Sequence, residues 1–160
     1  MIPRVTLDSS LQQFILPALS LKKLTLSKFR LQWDAISTIV EKLPNLEVLK
    51  LGFGSVFGEV WNMGDVEFPN LKFLKLESLN IKTWSAFPEN LPALENLVLE
   101  RCKQLKEIPD SLGEFYSLEK IELLWCNSSA AKSAKRIQDD QKDVGNELHK
   151  VHVYPPDLDL

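Results

Sequence analysis

The chain has 160 residues, 44% of them apolar and 26% charged, enough for one domain with a real core and no need of staples. Nineteen Lys and Arg against 22 Asp and Glu leave a net charge of −3, which excludes the strongly basic footprint of a nucleic-acid binder. No apolar run approaches the ~20 residues that span a bilayer. The N-terminus lacks the basic-then-apolar pattern of a signal peptide, and two cysteines make no disulfide framework, so a reducing, intracellular setting is expected.

Taken in chain order, one spacing recurs. Ile2, Val5 and Leu7 are a degenerate L-x-x-L-x-L, which Leu21, Leu24 and Leu26 then match fully. Leu46, Leu49 and Leu51 repeat it, followed by Leu71, Leu74 and Leu76 and by Leu94, Leu97 and Leu99. Leu118, Ile121 and Leu123 are a conservative copy, and Leu148, Val151 and Val153 a degenerate last one. Successive starts are 19 to 30 residues apart. A strand with three apolar anchors cannot bury them alone, whereas stacked copies can.

The connecting segments differ from one another. Ile36, Ile39, Val40 and Leu43 fall on one helical stripe, which predicts a short helix within 33–43, stopped before Pro44. Residues 52–67 read as a glycine-rich loop plugged by Phe53, Val56, Phe57, Val60 and Trp61. Gly52-Phe53-Gly54 follows a strand there, but position 57 is Phe and no Lys-Ser/Thr follows, so no phosphate-binding loop is expected. Leu43-Pro44-Asn45, Phe68-Pro69-Asn70 and Leu91-Pro92-Ala93 each punctuate the chain just before a copy. Residues 128–145 predict a helix capped by Asn127 or Ser128, with Ala134, Ile137, Gln141 and Val144 inward and Gly145 as the stop. Lys132, Lys135 and Arg136 come early in it and Asp139, Asp140 and Asp143 late, against the helix dipole. Pro155 and Pro156 end a strand at 149–154.

The spacing resembles the leucine-rich repeat, L-x-x-L-x-L-x-x-N/C-x-L. That resemblance implies an α/β solenoid of about seven repeats over residues 1–160. It would carry a parallel sheet on its concave side, short helices and irregular segments on its convex side, and a C-terminal cap over 128–160. Cys102 and Cys126 occupy the ninth position, which in the family points inward and bonds loop backbone; Ser10, Phe29, Gly54 and Leu79 depart from it. KLPNLEVLKL at 42–51, FPNLKFLKL at 68–76 and LERCKQLKEIP at 99–109 resemble the repeats of plant intracellular immune receptors. CNSSAAKSAKRIQDDQ at 126–141 with LHKVHVY at 148–154 resembles the usual ending of the nightshade nucleotide-binding leucine-rich-repeat disease-resistance proteins. The family implies sensing of pathogen effectors or guarded host proteins and contact with a nucleotide-binding module. The sequence has no G-x-x-x-x-G-K-[ST], so the module itself is absent here. Since Ile2, Val5 and Leu7 open the chain with nothing polar before them, further repeats upstream are expected.

Period-2 alternation places the residues flanking the core leucines on the concave face. Lys23, Val48, Lys50, Phe73, Lys75, Asn96, Val98, Lys120, Glu122 and His152 are the candidate protein-binding residues. Adjacent strands would set Val48 beside Phe73 and Lys50 beside Lys75. Trp33, Trp61, Trp84 and Trp125 are expected to plug the core behind the sheet. Cys102 and Cys126 share a phase, which predicts a buried thiol ladder. His149 and His152 supply too few further ligands for a metal site. Asn127-Ser128-Ser129 matches a glycosylation acceptor, but a helix cap explains it better. No nucleophile, base and orienting group fall together, so neither an enzyme nor a cofactor is expected. The expected partner is protein, without nucleic acid or a membrane span, in the cytoplasm. A stand-alone repeat scaffold or decoy, or the substrate-reading part of a ubiquitin-ligase adaptor, are the alternatives.

Overall fold

The computed structural model describes residues 20–145 and 150–155. Ile2, Val5, Leu7, Ser10, Leu148, His149 and Pro156 lie outside the described residues. In chain order the strands are β1 (Lys23–Leu26), β2 (Val48–Leu51), β3 (Val60–Asn62), β4 (Phe73–Glu77), β5 (Thr83–Ser85), β6 (Asn96–Glu100), β7 (Lys120–Leu124) and β8 (Lys150–Tyr154). The helices are α1 (Trp33–Glu41) and α2 (Ser128–Asp143), with 3-10 turns at Pro88–Asn90 and Asp110–Glu114. One six-stranded sheet runs β1-β2-β4-β6-β7-β8 with every pair parallel, and β3 and β5 form a separate parallel pair.

The apolar spacing accounts for the large sheet. Leu46, Leu71, Leu94 and Leu118 are buried in the turns that enter the strands. The next two anchors of each unit point inward, and Leu49, Leu51, Leu74, Leu76, Leu97, Leu99, Ile121 and Leu123 are fully buried. Leu24, on the end strand β1, is half-buried because no described strand covers its far side. The register aligns anchor on anchor, Leu49 with Leu74 with Leu97 with Ile121. Parallel neighbours cannot be joined by hairpins and need a crossover, so a return segment lies behind each strand and carries the other half of the core.

These returns are built differently. The first contains α1, whose stripe of Ile36, Ile39 and Val40 is buried, with Leu43 buried just beyond the helix. The second, 52–67, is a loop with a strand inside it: β3 pairs with β5 and aligns Trp61 with Trp84. Trp33 stacks on Trp61 at 4.2 Å and Trp61 on Trp84 at 5.5 Å, both pairs nearly parallel, with Phe68 tilted beside Trp61 at 6.4 Å. Trp33 Nε1 donates to Gly58 O at 2.9 Å. A Cβ on Gly58 would stand 2.7 Å from Trp33 Cδ1, so glycine is what lets the loop close over the stack. Buried Asn90 ties this loop to the next unit, donating to Gly64 O and Val66 O and accepting from Phe87 N.

Three expectations are corrected. Val56 and Trp61 are plugs, but Phe53, Phe57 and Val60 are exposed. A three-residue strand buries one side chain and turns its two neighbours outward, as the exposed-buried-exposed pattern of β3 shows, while the Arg30 guanidinium lies over the Phe57 ring at 5.9 Å. Trp33, Trp61 and Trp84 are buried, but Trp125 is 45% exposed. It follows β7 in left-handed backbone, φ 56°, and its N–H donates to Tyr154 O of the next strand. That geometry leaves its ring at the rim, edge-on to Tyr154 at 5.4 Å. Val144 is 76% exposed because α2 ends at Asp143, before Gly145 turns the chain at φ 82°.

The closing helix otherwise follows the sequence. Asn127 Oδ1 accepts from Ser129 N at 2.8 Å, so the Asn-Ser-Ser triplet is a cap. Ala130, Ala134 and Ile137 are buried and Gln141 half-buried. Ser133 Oγ donates to Ala130 O and accepts from Ile108 N, and Arg136 pairs with Asp110 at 3.1 Å, so α2 is stitched to the preceding return. Cys102 Sγ donates to Leu76 O at 3.4 Å and Cys126 Sγ to Leu99 O at 3.2 Å, each reaching the strand of the unit before it. Burial pushes the Cys102 thiol up to about 12 and raises Cys126 as well.

Candidate functional site

The side chains between the core anchors form the outer face of the six-stranded sheet, ordered into rows by the register. One row runs Lys23, Val48, Phe73, Asn96, Lys120, Lys150. The next runs Thr25, Lys50, Lys75, Val98, Glu122, His152. A third begins at Glu77 and continues through Glu100, Leu124 and Tyr154. All ten candidate residues therefore share this face. Lys50, Phe73, Lys75, Asn96, Val98, Lys120 and Glu122 are drawn together around one shallow hollow of about 470 Å³, which Leu124 also lines. Lys23, Val48 and His152 stand outside it.

Parallel pairing puts Lys50 directly beside Lys75, a like-charge contact that costs free energy unless each is answered. Each is answered differently. The Lys50 ammonium lies over the Phe73 ring, 5.6 Å from its centroid, a cation–π contact. Lys75 reaches across to Glu100 at 2.8 Å and lies 3.8 Å from Glu77. Glu100 in turn holds Arg101 at 2.9 Å. The hydrogen bond to Glu100 raises the Lys75 ammonium above its ordinary value, and the same bond holds the Glu100 carboxyl below its own. Lys120 pairs with Glu122 within the same strand. Val98 is buried at the centre, so the hollow has an apolar floor and a ring of mostly paired charges.

The alternation in the sequence marked the positions on this face, but not the Lys75–Glu100–Arg101 chain of ion pairs. Its signal was present in the residues: Glu77, Glu100 and Arg101 follow core leucines at matching offsets, and parallel register brings equal offsets together. Among the described residues, no group of three or more His, Cys, Asp or Glu is placed to hold a metal ion. No helix among them is long and apolar enough to cross a membrane.

These features define a repeat-built α/β domain that presents a broad, shallow, charge-patterned sheet face. No family model matches the chain. Over 149 residues it is 41% identical to the late blight resistance protein homolog R1B-13 of Solanum demissum, a match that covers 88% of this chain and 13% of that protein. It is 41% identical over 130 residues to homolog R1B-23 of the same plant, covering 80% of this chain and 10% of that protein. Homolog R1B-16 is 40% identical over 140 residues, covering 86% of this chain and 11% of that protein. Over most of its length the chain is thus similar to these plant resistance-protein homologs, and it spans only 10% to 13% of their length.

Proposed function

We propose that the chain is a leucine-rich-repeat recognition domain whose outer sheet face binds protein within plant disease resistance. The observation that carries this reading is the hollow around Phe73 and Val98. An aromatic, a buried valine and a lysine ring, presented on a rigid parallel sheet, combine an apolar anchor with a polar rim, the composition of a protein-binding patch. Lys50, held over Phe73, is placed to meet a carboxylate on the partner, whereas Lys75 and Lys120 already have anions of their own. The work proposed for this face is binding, not catalysis, in the cytoplasm. The partners that fit are a pathogen effector, a guarded host protein or the nucleotide-binding module of a longer receptor, in keeping with relatives named for late blight resistance.

The test uses the chain as bait in leaf extract, alongside the double variant Phe73→Ala with Lys75→Glu. A protein retained by the natural chain and lost about tenfold or more from the double variant, both baits melting alike, supports the reading. Equal retention by the two folded baits overturns it.

A further inference from the structure

A second surface lies away from the sheet face, where the two 3-10 turns meet the turns that lead into β6 and β7. Two hollows of about 450 and 220 Å³ adjoin there and share Pro88, Glu89, Phe115 and Tyr116. Exposed Pro92 extends the apolar bed on one side, over buried Leu91 and Phe115, and Glu114 borders the other. Tyr116 is the unusual residue. It occupies the turn position that Pro44, Pro69 and Pro92 fill in the units before it, and it is 99% exposed. Folding gains almost nothing from an aromatic ring left wholly in water, so packing does not explain it. Glu89 and Glu114 flank the same bed, and neither pairs with a cation among the described residues. The local sign is thus opposite to that of the hollow on the sheet face, where three lysines stand against one glutamate.

An apolar shelf with two unanswered carboxylates and a free aromatic ring has a definite complement. A Lys or Arg side chain can meet a carboxylate and lie over the Tyr116 ring, while an aliphatic neighbour covers Pro88 and Pro92. We propose that this shelf is a second docking surface, one that takes an extended segment of a partner protein in which basic and aliphatic side chains alternate. It is independent of the sheet face and goes beyond the recognition role assigned there.

The test measures fluorescence anisotropy of labelled Lys-Leu, Lys-Ser and Glu-Leu alternating peptides of equal length against the full chain. The expected result is that Lys-Leu binds best. Its affinity falls about tenfold or more in Glu89→Lys with Glu114→Lys, falls clearly in Tyr116→Ser, and is unchanged in Glu41→Lys, an exposed position outside both surfaces. All the altered side chains are at the surface, and Tyr116→Ser alone still decides the matter if the charge reversal lowers the yield of folded protein. Absence of Lys-Leu binding, equal binding of Lys-Ser, or Lys-Leu binding that ignores the shelf variants overturns the proposal. Self-association of the chain that Glu89→Lys with Glu114→Lys abolishes would put a second copy on the shelf, and overturns it too.

Discussion

The six-stranded sheet and the segments that return behind it fill one core by opposite strategies. In the sheet every unit repeats the same solution, aliphatic anchor on aliphatic anchor in register, so each strand is interchangeable in kind with its neighbour. The returns face one geometric problem, to cross behind the sheet while covering those anchors, and solve it in different ways. One uses α1, two are joined through β3 and β5 with a tryptophan stack, one uses a 3-10 turn, and the last uses an alanine-faced helix. A repeated local pattern therefore specifies the sheet with few residue types. The returns depend on particular large side chains, and sensitivity to mutation should concentrate there.

The strongest way to break this comparison is Trp61→Ala. Trp61 is fully buried between Trp33 and Trp84, with Phe68 against it, and a small residue cannot be filled in from both sides. The expected loss is about 3–5 kcal/mol by the usual cost of truncating a buried large aromatic, read from the urea midpoint. Trp125→Ala, at a half-exposed rim, should cost only about 1 kcal/mol or less. Equal losses at the two positions would mean that the stack is not the special element of the returns.

That contrast also marks where the sequence was readable. Leu71, Leu74 and Leu76 announce a strand because three anchors at a fixed offset recur in every unit, and α1 and α2 announce themselves by a stripe and a cap. The β3–β5 pair does not, since Val60-Trp61-Asn62 and Thr83-Trp84-Ser85 are too short to show a period. Two tryptophans in successive returns, each preceded by a β-branched residue, were the available hint. The sheet-face rows were legible because alternation is local. The ion-pair chain through Lys75, Glu100 and Arg101 and the shelf around Tyr116 were not, because each is made by side chains from neighbouring units.

A second prediction sharpens the comparison with pH. Cys102 and Cys126 link returns to strands, and burial raises both thiols, Cys102 from its ordinary 9.0 to about 12. The unfolded chain therefore gives up these protons at lower pH than the folded one. Stability from Cys102 is complete below pH 9 and drains as pH rises from there toward 12, by at most about 1.4 kcal/mol per pH unit, and Cys126 adds to the decline in the same direction. Urea titrations from pH 8 upward should show the decline, and Cys102→Ala should lessen its slope. Rapid modification of both thiols by a thiol reagent in the folded chain at pH 8 would contradict their burial.

The closing helix offers a smaller test. Asn127 accepts from Ser129 N at the start of α2, whose early lysines oppose the helix dipole. Asn127→Ala should cost about 1 kcal/mol, the usual loss of a good N-cap, and Asn127→Asp should recover it or better, because an anion suits that end. No difference between Ala and Asp would mean that packing against the preceding return fixes this end without help from the cap.

The smallest effect belongs to the sheet face, and its smallness is informative. Glu100 is held below its ordinary carboxylate value chiefly by the hydrogen bond from Lys75, so the pair contributes above that range and is lost as pH falls through the lowered value. Both side chains keep contact with water, so the contribution to stability is about 0.2–1 kcal/mol. Glu100→Gln should remove a shallow acid-side decline in stability and leave the midpoint at neutral pH nearly unchanged. Its larger consequence is chemical. With Glu100 neutral, Lys75 loses its main anion and joins Lys50 as a cation open to a partner, so binding of an acidic partner at this face should strengthen while the fold hardly changes. A stability loss of several kcal/mol from Glu100→Gln would place the face among the structural elements of the domain, and the division between a self-sufficient sheet and a surface free for recognition would fail.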